Sequence, residues 1–198
     1  MKSYNHLYET AISEETRRKA VHKVILGRKK KAKLKRYIED EDKAVKDALR
    51  WIGEYENEYH TPRMIYDGFR RKQRTIIVPT FKELVVQHCV VEAMKPVFLK
   101  GMYEHSYASI PGRGAHLAKK VIEKWIRKDA KNCKYVMKLD IRHFFESIPH
   151  DRLKEKIRKK IHDKRLTDLV EKIIDVTDRG LPLGFSRANG FQTGICRA

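Results

Sequence analysis

A carboxylate at the end of an apolar run is the feature of this sequence that most directly suggests chemistry. Residues 135–141, Tyr-Val-Met-Lys-Leu-Asp-Ile, alternate with the period of two that is typical of a β-strand. The pattern predicts a strand with Asp140 at its end, on the face opposite the apolar side chains. A carboxylate fixed there beside basic side chains can hold Mg2+ against a phosphate group. Taken alone, an Asp in this place is more often a structural cap or turn residue.

The overall charge favours a polyanionic partner. The 198 residues include 45 Lys and Arg against 26 Asp and Glu, which gives a net charge of +19. Basic residues occur in every segment and are interleaved with Tyr, Phe and Trp. This distribution favours nucleic acid over the alternative of a solvated cationic surface. No long amphipathic basic helix dominates the sequence, so the pattern does not favour binding to a membrane surface.

The cysteines and histidines favour a reducing compartment without a zinc site. Cys89, Cys133 and Cys196 are scattered and odd in number, which is typical of free thiols. The nine histidines form no pair with the spacing of zinc ligands. The sequence shows neither a signal peptide nor an apolar run of membrane-spanning length. We therefore expect a cytoplasmic protein without membrane contact.

The first 60 residues predict a basic, helical region. Seven of the nine residues in 28–36 are Lys or Arg. This run fits a solvated helix face, a disordered arm or a segment that follows a phosphate backbone equally well. Val45, Ala48, Leu49 and Ile52 recur with helical spacing and predict a helix that buries this stripe.

Residues 61–134 carry signals for a strand, for turns and for helices. Residues 69–79 predict a basic turn that runs into a short strand, and residues 81–100 predict a helix. The Pro-Gly-x-Gly sequence at 111–114 is an ordinary turn signal. A further helix is predicted to bury one face, formed by Ala118, Val121, Ile122 and Trp125.

Beyond Asp140 the pattern is helical again. One stripe consists of Leu153, Ile157 and Ile161, and a second consists of Leu166, Leu169, Val170 and Ile173. The sequence Gly-Leu-Pro-Leu-Gly follows at 180–184.

Four motifs in order resemble those of reverse transcriptases, in particular the bacterial retron and group II intron type. Residues 140–153 read Asp-Ile-x-x-Phe-Phe-x-Ser-Ile-x-His-x-x-Leu, which is similar to the first palm motif of that family. Residues 72–79 read Lys-x-Arg-x-Ile-x-x-Pro and resemble its fingers motif. The Pro-Gly-Arg-Gly turn resembles a segment that contacts template and nucleotide, although Ile110 stands where the family usually has Arg. Residues 180–184 resemble the start of the second palm motif. The match covers roughly residues 60 to 185.

The resemblance implies a role for each matched residue. Asp140 would be the catalytic carboxylate that binds both metal ions, and Ile141 would lend its backbone carbonyl. Lys72 and Arg74 would contact the triphosphate together with Arg113, while Phe145 would be the steric gate against a 2′-hydroxyl. Residues near the template would be Pro111, Gly112, Gly114, Gly180, Pro182 and Gly184. The implied cofactor is Mg2+, and the implied partners are an RNA template, a DNA or RNA primer and deoxynucleoside triphosphates.

The resulting expectation is an α+β fold with three regions. Residues 1–60 would be the basic helical N-terminal region, residues 61–134 the fingers subdomain, and residues 135–198 a partial palm of a right-hand polymerase. The sequence leaves the oligomeric state, the RNA and the primer open.

The resemblance stops after residue 185. The family's Tyr-x-Asp-Asp motif, which supplies the remaining catalytic carboxylates, is missing, and so is the thumb. A nucleotide string can be written that encodes the family-like sequence Phe-Tyr-Thr-Ser-Gln-Trp-Phe-Ser-Asn-Trp-Tyr-Leu-Gln-Gly. Deleting one nucleotide from its Tyr codon makes it encode Phe185 to Arg197 and leaves an end compatible with Ala198. We therefore expect that residues 186–198 result from a frameshift that truncated a longer enzyme. An intact reading frame with no Tyr-x-Asp-Asp in any downstream frame would contradict this hypothesis.

Three functional hypotheses follow from the sequence. In the first, the chain derives from an RNA-directed DNA polymerase and is inactive as it stands, because one carboxylate cannot position two cations. In the second, it is a non-catalytic module that binds nucleic acid through its charge. In the third, it is a pseudogene product without a selected role.

Overall fold

The structure, a computed structural model, describes residues 4–26, 34–58, 60–67, 72–100, 102–108, 110 and 112–181. Most of the lysine-rich run therefore lies outside the described residues. Pro111, Pro182, Gly184 and the segment interpreted as a frameshift product also lie outside them.

The described residues form an α+β fold that is mostly helical. In chain order the elements are α1 (Leu7–Ile12), α2 (Glu14–Leu26), α3 (Lys35–Glu39), α4 (Glu41–Gly53), β1 (Arg63–Asp67), β2 (Lys72–Ile76), α5 (Phe81–Lys100), α6 (Ala115–Lys128), α7 (Phe144–Ser147), α8 (His150–Lys160) and α9 (Lys164–Ile174). The predicted α+β class is thereby confirmed. The finer assignment of polymerase subdomains stays a prediction.

Helix α5 is the centre of the hydrophobic core. It is apolar around most of its circumference, and Val85, Val86, Val90 and Met94 are fully buried. A helix of this composition must be covered on several sides. Helices α1, α2, α4 and α9 all contact it. The predicted helix at 81–100 is thus confirmed with the same bounds.

The N-terminal region is helical, as the sequence predicts. In α4, the Asp40 side chain caps the helix by accepting a 2.9 Å hydrogen bond from the amide of Lys43. Val45, Ala48 and Ile52 are buried, but Leu49 is half-exposed. The buried face also includes Ala44 and Trp51, which shifts its centre away from Leu49.

The only sheet among the described residues is an antiparallel pair of β1 and β2. Its register sets Ile65 opposite Arg74 and Asp67 opposite Lys72. The short strand predicted in this region is therefore present as β2, whereas the basic turn at residues 68–71 lies outside the described residues. The strand ends at Ile76, so the residues up to Pro79 that the sequence assigned to it lie outside.

The strand predicted at residues 135–141 is absent from the described structure. The chain forms no ladder there, and Tyr135 and Val136 are each 93% exposed. A strand requires a neighbour to pair its amide and carbonyl groups and an apolar surface to bury one face. No described segment supplies either, so the prediction that Asp140 ends a central strand is wrong here.

Helix α6 forms where the sequence predicts a helix, but the predicted buried face is wrong. None of its residues is buried, and Ile122 and Trp125 are about half-exposed. The helix is strongly amphipathic by sequence, yet no described element covers its apolar side. The spacing of the apolar residues therefore predicted the helix correctly, but the burial of its apolar face was predicted incorrectly.

The two C-terminal helices complete the core as predicted. Leu153 and Ile157 of α8 and Leu166 and Val170 of α9 are buried. Asp163 caps α9 by accepting from the amide of Leu166 at 3.2 Å, and its other oxygen accepts a 2.7 Å hydrogen bond from the amide of Tyr8. This carboxylate ties the first helix of the chain to the last. No helix formed by the described residues is long and apolar enough to cross a bilayer.

Candidate nucleic-acid interface

The structure brings the first palm-like motif into direct contact with the start of the second. The amide of Leu181 donates a 2.8 Å hydrogen bond to the carbonyl of Phe145, and the amide of Gly180 donates at 3.1 Å to that of Ile148. His150 donates through Nε2 to the carbonyl of Gly180 at 2.7 Å. Two segments that are far apart in sequence are thus joined through their backbones.

Gly180 is the residue that permits this close approach. Its φ of 73° lies in the left-handed region that favours glycine. A Cβ atom at this position would lie 2.5 Å from the carbonyl oxygen of Glu146 and 2.6 Å from that of Phe145. Both the backbone conformation and the available space therefore require glycine. The close approach that the structure describes is to the backbone of the first motif, and the contact of Gly180 with a template stays a prediction.

Asp140 and Ile141 lie in an exposed segment without regular secondary structure just before α7. Asp140 makes no hydrogen bond or ion pair with another described residue, and Ile141 is exposed. Among the residues that the structure describes, no group of three His, Cys, Asp or Glu side chains converges in a way that could hold a metal ion. The carboxylate is therefore accessible but is not joined by other ligands.

Phe145 lies in α7, beside Phe144. Their rings meet edge to face with centroids 5.2 Å apart, and both side chains are half-exposed. His143 precedes them with a φ of 50°, and its Nδ1 lies 2.6 Å from a carboxylate oxygen of Glu146. The turn thus presents two aromatic rings a few residues after Asp140.

Lys72 and Arg74 belong to β2, at its start and its middle. Arg74 is half-buried on the same face as Ile76, whereas Gln73 and Thr75 are exposed on the other face. Asp140 makes no ion pair with Arg74 or with any other side chain that the structure describes. The predicted cleft that would hold Lys72, Arg74 and Asp140 together stays a prediction.

Arg113 has a structural role that the sequence did not indicate. Its Nη1 donates to the carbonyls of Glu104 at 2.9 Å, Tyr103 at 3.3 Å and Ser106 at 3.4 Å. Gly112 before it has a φ of 75°, and Gly114 after it forms the extended N-cap of α6. Arg113 therefore fixes the segment 103–106 against the start of α6, and one nitrogen of its guanidinium is committed to that contact.

Two groups of residues escaped the sequence analysis. One is an exposed set of aromatic rings in which His105 contacts Tyr103, Tyr107 and Trp125. The sequence does not indicate this set, because its rings come together only when the segment 103–107 lies against α6. The other is a buried hydrogen-bond network around Glu83. Its signal in the sequence is Thr80-x-x-Glu83, the spacing of a capping box.

Comparison with known proteins gives one distant similarity. No protein-family model matches the sequence. The chain is 25% identical over 104 residues to Protein YkfC of Escherichia coli strain K12. The aligned region covers 52% of this chain and 27% of YkfC, so the chain spans about a quarter of that protein's length.

Proposed function

We propose that this chain forms the fingers and the first part of the palm of an RNA-directed DNA polymerase similar to bacterial reverse transcriptases. The observation that supports this most is the contact between Phe145 and the segment that begins at Gly180. A polymerase palm needs its first two motifs side by side, because both must reach the same primer terminus and nucleotide. The pairing of their backbones agrees with that requirement.

The proposed reaction of the complete enzyme is nucleotidyl transfer. The 3′-hydroxyl of the primer attacks the α-phosphate of a deoxynucleoside triphosphate and releases pyrophosphate. In this proposal the exposed Asp140 is the metal-binding carboxylate, the Phe145 ring excludes a 2′-hydroxyl by its bulk, and Lys72 and Arg74 contact the triphosphate. Arg113 acts mainly by holding the turn before α6.

The described residues do not complete a site for Mg2+. The ion prefers six oxygen ligands, and two-metal catalysis requires several carboxylates. Asp140 and the carbonyl of Ile141 supply only part of such a set, and the described residues contain no group of three His, Cys, Asp or Glu side chains that could hold a metal ion. We therefore assign no catalytic step to this chain. We propose that it binds nucleic acid and does not extend a primer.

The test is a combined binding and extension assay on the purified 198-residue chain. A fluorescently labelled RNA template annealed to a DNA primer should show saturable binding by anisotropy at low salt, since the net charge of +19 supplies affinity. The same mixture with Mg2+ and deoxynucleotides should give no extended product. Asp140→Asn should bind as the parent chain does. Absence of binding would contradict the proposal, and Mg2+-dependent extension would contradict the inactivity assigned to this chain.

A second candidate is a binding module without any catalytic history. The exposed Asp140 favours it, because no ion pair and no cluster of metal ligands joins this carboxylate within the part of the chain that the structure describes. The two candidates differ in their affinity for a nucleotide. A polymerase-derived chain should bind a deoxynucleoside triphosphate weakly, and Arg74→Gln should reduce that affinity. On a general cationic surface, Arg74→Gln and a distant charge deletion such as Lys46→Gln should change the affinity equally.

A further inference from the structure

An exposed group of aromatic side chains lies where the segment 103–107 meets α6. We call Tyr103, His105, Tyr107 and Trp125 the aromatic platform. His105 is at its centre, with ring centroids 4.7 Å from Trp125, 5.3 Å from Tyr103 and 6.2 Å from Tyr107. Tyr103 is 64% exposed and Trp125 is 46% exposed. Large aromatic rings that contact one another and still face solvent are suited to contact a further flat ring.

The platform is held by contacts of its own. The phenol oxygen of Tyr107 lies 3.0 Å from Nδ1 of His105, and the amide of buried Ser106 donates to the carbonyl of Tyr103 at 3.0 Å. Arg113 adds the Nη1 contacts to the same segment. The rings are therefore placed before any ligand arrives, which reduces the entropy that binding would cost.

The helix that carries Trp125 is strongly basic. Glu123 is the one acidic residue of this helix. Its five exposed cations are Lys119, Lys120, Lys124, Arg127 and Lys128. This charge disfavours a second copy of the same cationic chain as the partner, and it favours a polyanion. A polyanion that also carries flat aromatic groups is a nucleic acid with unpaired bases.

We propose that the aromatic platform binds single-stranded nucleic acid, with bases stacked on Trp125 and Tyr103 and phosphates held by the cations of α6. Such sites combine a basic surface with stacking rings and tolerate many sequences, since every base has a π-face. The inference rests on the proposed nucleic-acid binding and specifies where an unpaired strand contacts the chain. It gives a role to Tyr103, His105 and Trp125, to which the polymerase resemblance assigns none.

The two tryptophans provide a direct readout. Trp51 is 8% exposed and contacts Tyr37 and Phe81 in the core, so Trp51→Phe leaves Trp125 as the sole tryptophan while keeping an aromatic ring. A single-stranded oligothymidylate should quench the fluorescence of this variant in a saturable way. Inorganic polyphosphate, which has the charge but no bases, should leave the fluorescence nearly unchanged. Equal quenching by polyphosphate would overturn the stacking assignment.

Variants at position 125 separate stacking from charge. Trp125→Ala should weaken oligothymidylate binding by about five- to a hundred-fold, and Trp125→Phe should restore much of that loss, because stacking needs a ring. Lys120→Ala is the matched charge control. It should weaken binding of oligothymidylate and of polyphosphate by the same factor and leave the quenching at saturation intact.

The outcomes also separate this inference from the function on which it rests. If anisotropy shows that oligothymidylate binds while the fluorescence of Trp125 is not quenched, stacking on the aromatic platform is contradicted. The proposed binding of nucleic acid by the chain is then retained. If no nucleic acid binds, both fail. If the Trp125 emission changes with protein concentration in the absence of nucleic acid, a second copy covers the platform and the proposal is overturned. Should Trp51→Phe fail to fold, the loss of quenching in Trp125→Phe on the parent background gives the same information.

Discussion

A methyl group on Gly180 would lie 2.5 Å from the carbonyl oxygen of Glu146, closer than nonbonded carbon and oxygen atoms approach. The clash is with backbone, which cannot rotate away as a side chain could. The left-handed φ of Gly180 adds a second penalty for any residue that carries a Cβ atom. The junction between the two palm-like motifs is therefore specified by one glycine.

Gly180→Ala should lower the free energy of unfolding by about 2 kcal/mol or more, because strain and clash add. Two other glycines separate the cost of the backbone strain from the cost of the steric clash. Gly112 has a positive φ but open space, so Gly112→Ala should cost about 1 kcal/mol. Gly53 ends α4 with neither constraint, so Gly53→Ala should stabilise by about 0.5 kcal/mol. Urea denaturation measures all three, and a different order would contradict the account.

Glu83 should be essential for the stability of the N-terminal half. It is 2% exposed, and its Oε2 accepts from the amide and the hydroxyl of Thr80 at 2.8 and 3.0 Å. Its Oε1 lies 2.8 Å from Nε2 of His60. Glu83→Gln places an amide donor against these donors and should cost about 1–3 kcal/mol. The control is Glu54→Gln at an exposed position, which should change stability by less than about 0.5 kcal/mol.

The helices of the core were predictable because their signals are local. The apolar spacing of α8 and α9 and the long apolar run of α5 each require burial somewhere, and the core provides it. The strand predicted at 135–141 from its alternation is absent from the described structure. A strand depends on a partner elsewhere in sequence, and the described residues provide none. The same reason applies to α6, whose apolar face was identified but whose covering surface was not.

Two valines test this distinction between pattern and environment. Val136 is 93% exposed and Val170 is fully buried in α9. Val170→Ala should lower the free energy of unfolding by about 2 kcal/mol through lost burial and a cavity, whereas Val136→Ala should change it by less than about 0.5 kcal/mol. Denaturation by urea distinguishes them. A comparable loss in both would mean that residues 135–141 are buried in solution.

The buried thiol of Cys89 should make stability fall at alkaline pH. Burial raises its pKa to about 12 from an ordinary value of 9.0. The thiol is thus neutral in the folded chain at pH values where the unfolded chain ionises. This contribution to stability is complete below pH 9 and is lost as pH rises toward 12. Burial likewise raises the pKa of Tyr55, so both groups act in the same direction.

The measurement is urea unfolding at several pH values between 8 and 11, and the expected loss from Cys89 is at most about 1.4 kcal/mol per pH unit. Cys89→Ala should make the pH dependence shallower. Val86→Ala serves as the control, because it removes a fully buried side chain that does not ionise and should leave the pH dependence unchanged. Identical slopes in all three chains would contradict the burial of Cys89.

The sequence proposed residues for the candidate site, but it could not give their arrangement. The motif spacing selected Phe145 and Gly180, whose segments do meet. It also selected Arg113 as a ligand-binding residue, although the guanidinium is engaged with three backbone carbonyls. Which acceptors a guanidinium binds depends on how the chain folds back, and no local pattern encodes that. The aromatic platform escaped for the same reason, since its rings come from two segments.

The most direct test of nucleic-acid binding is the salt dependence of affinity for the RNA template annealed to a DNA primer. If dispersed lysines and arginines neutralise several phosphates, the logarithm of the association constant should fall linearly with the logarithm of the salt concentration. The slope should be steeper than about −3, and removing one contacting cation should reduce it by about 1. Asp140→Asn should leave the slope unchanged. A slope near zero, or no binding at low salt, would contradict the account.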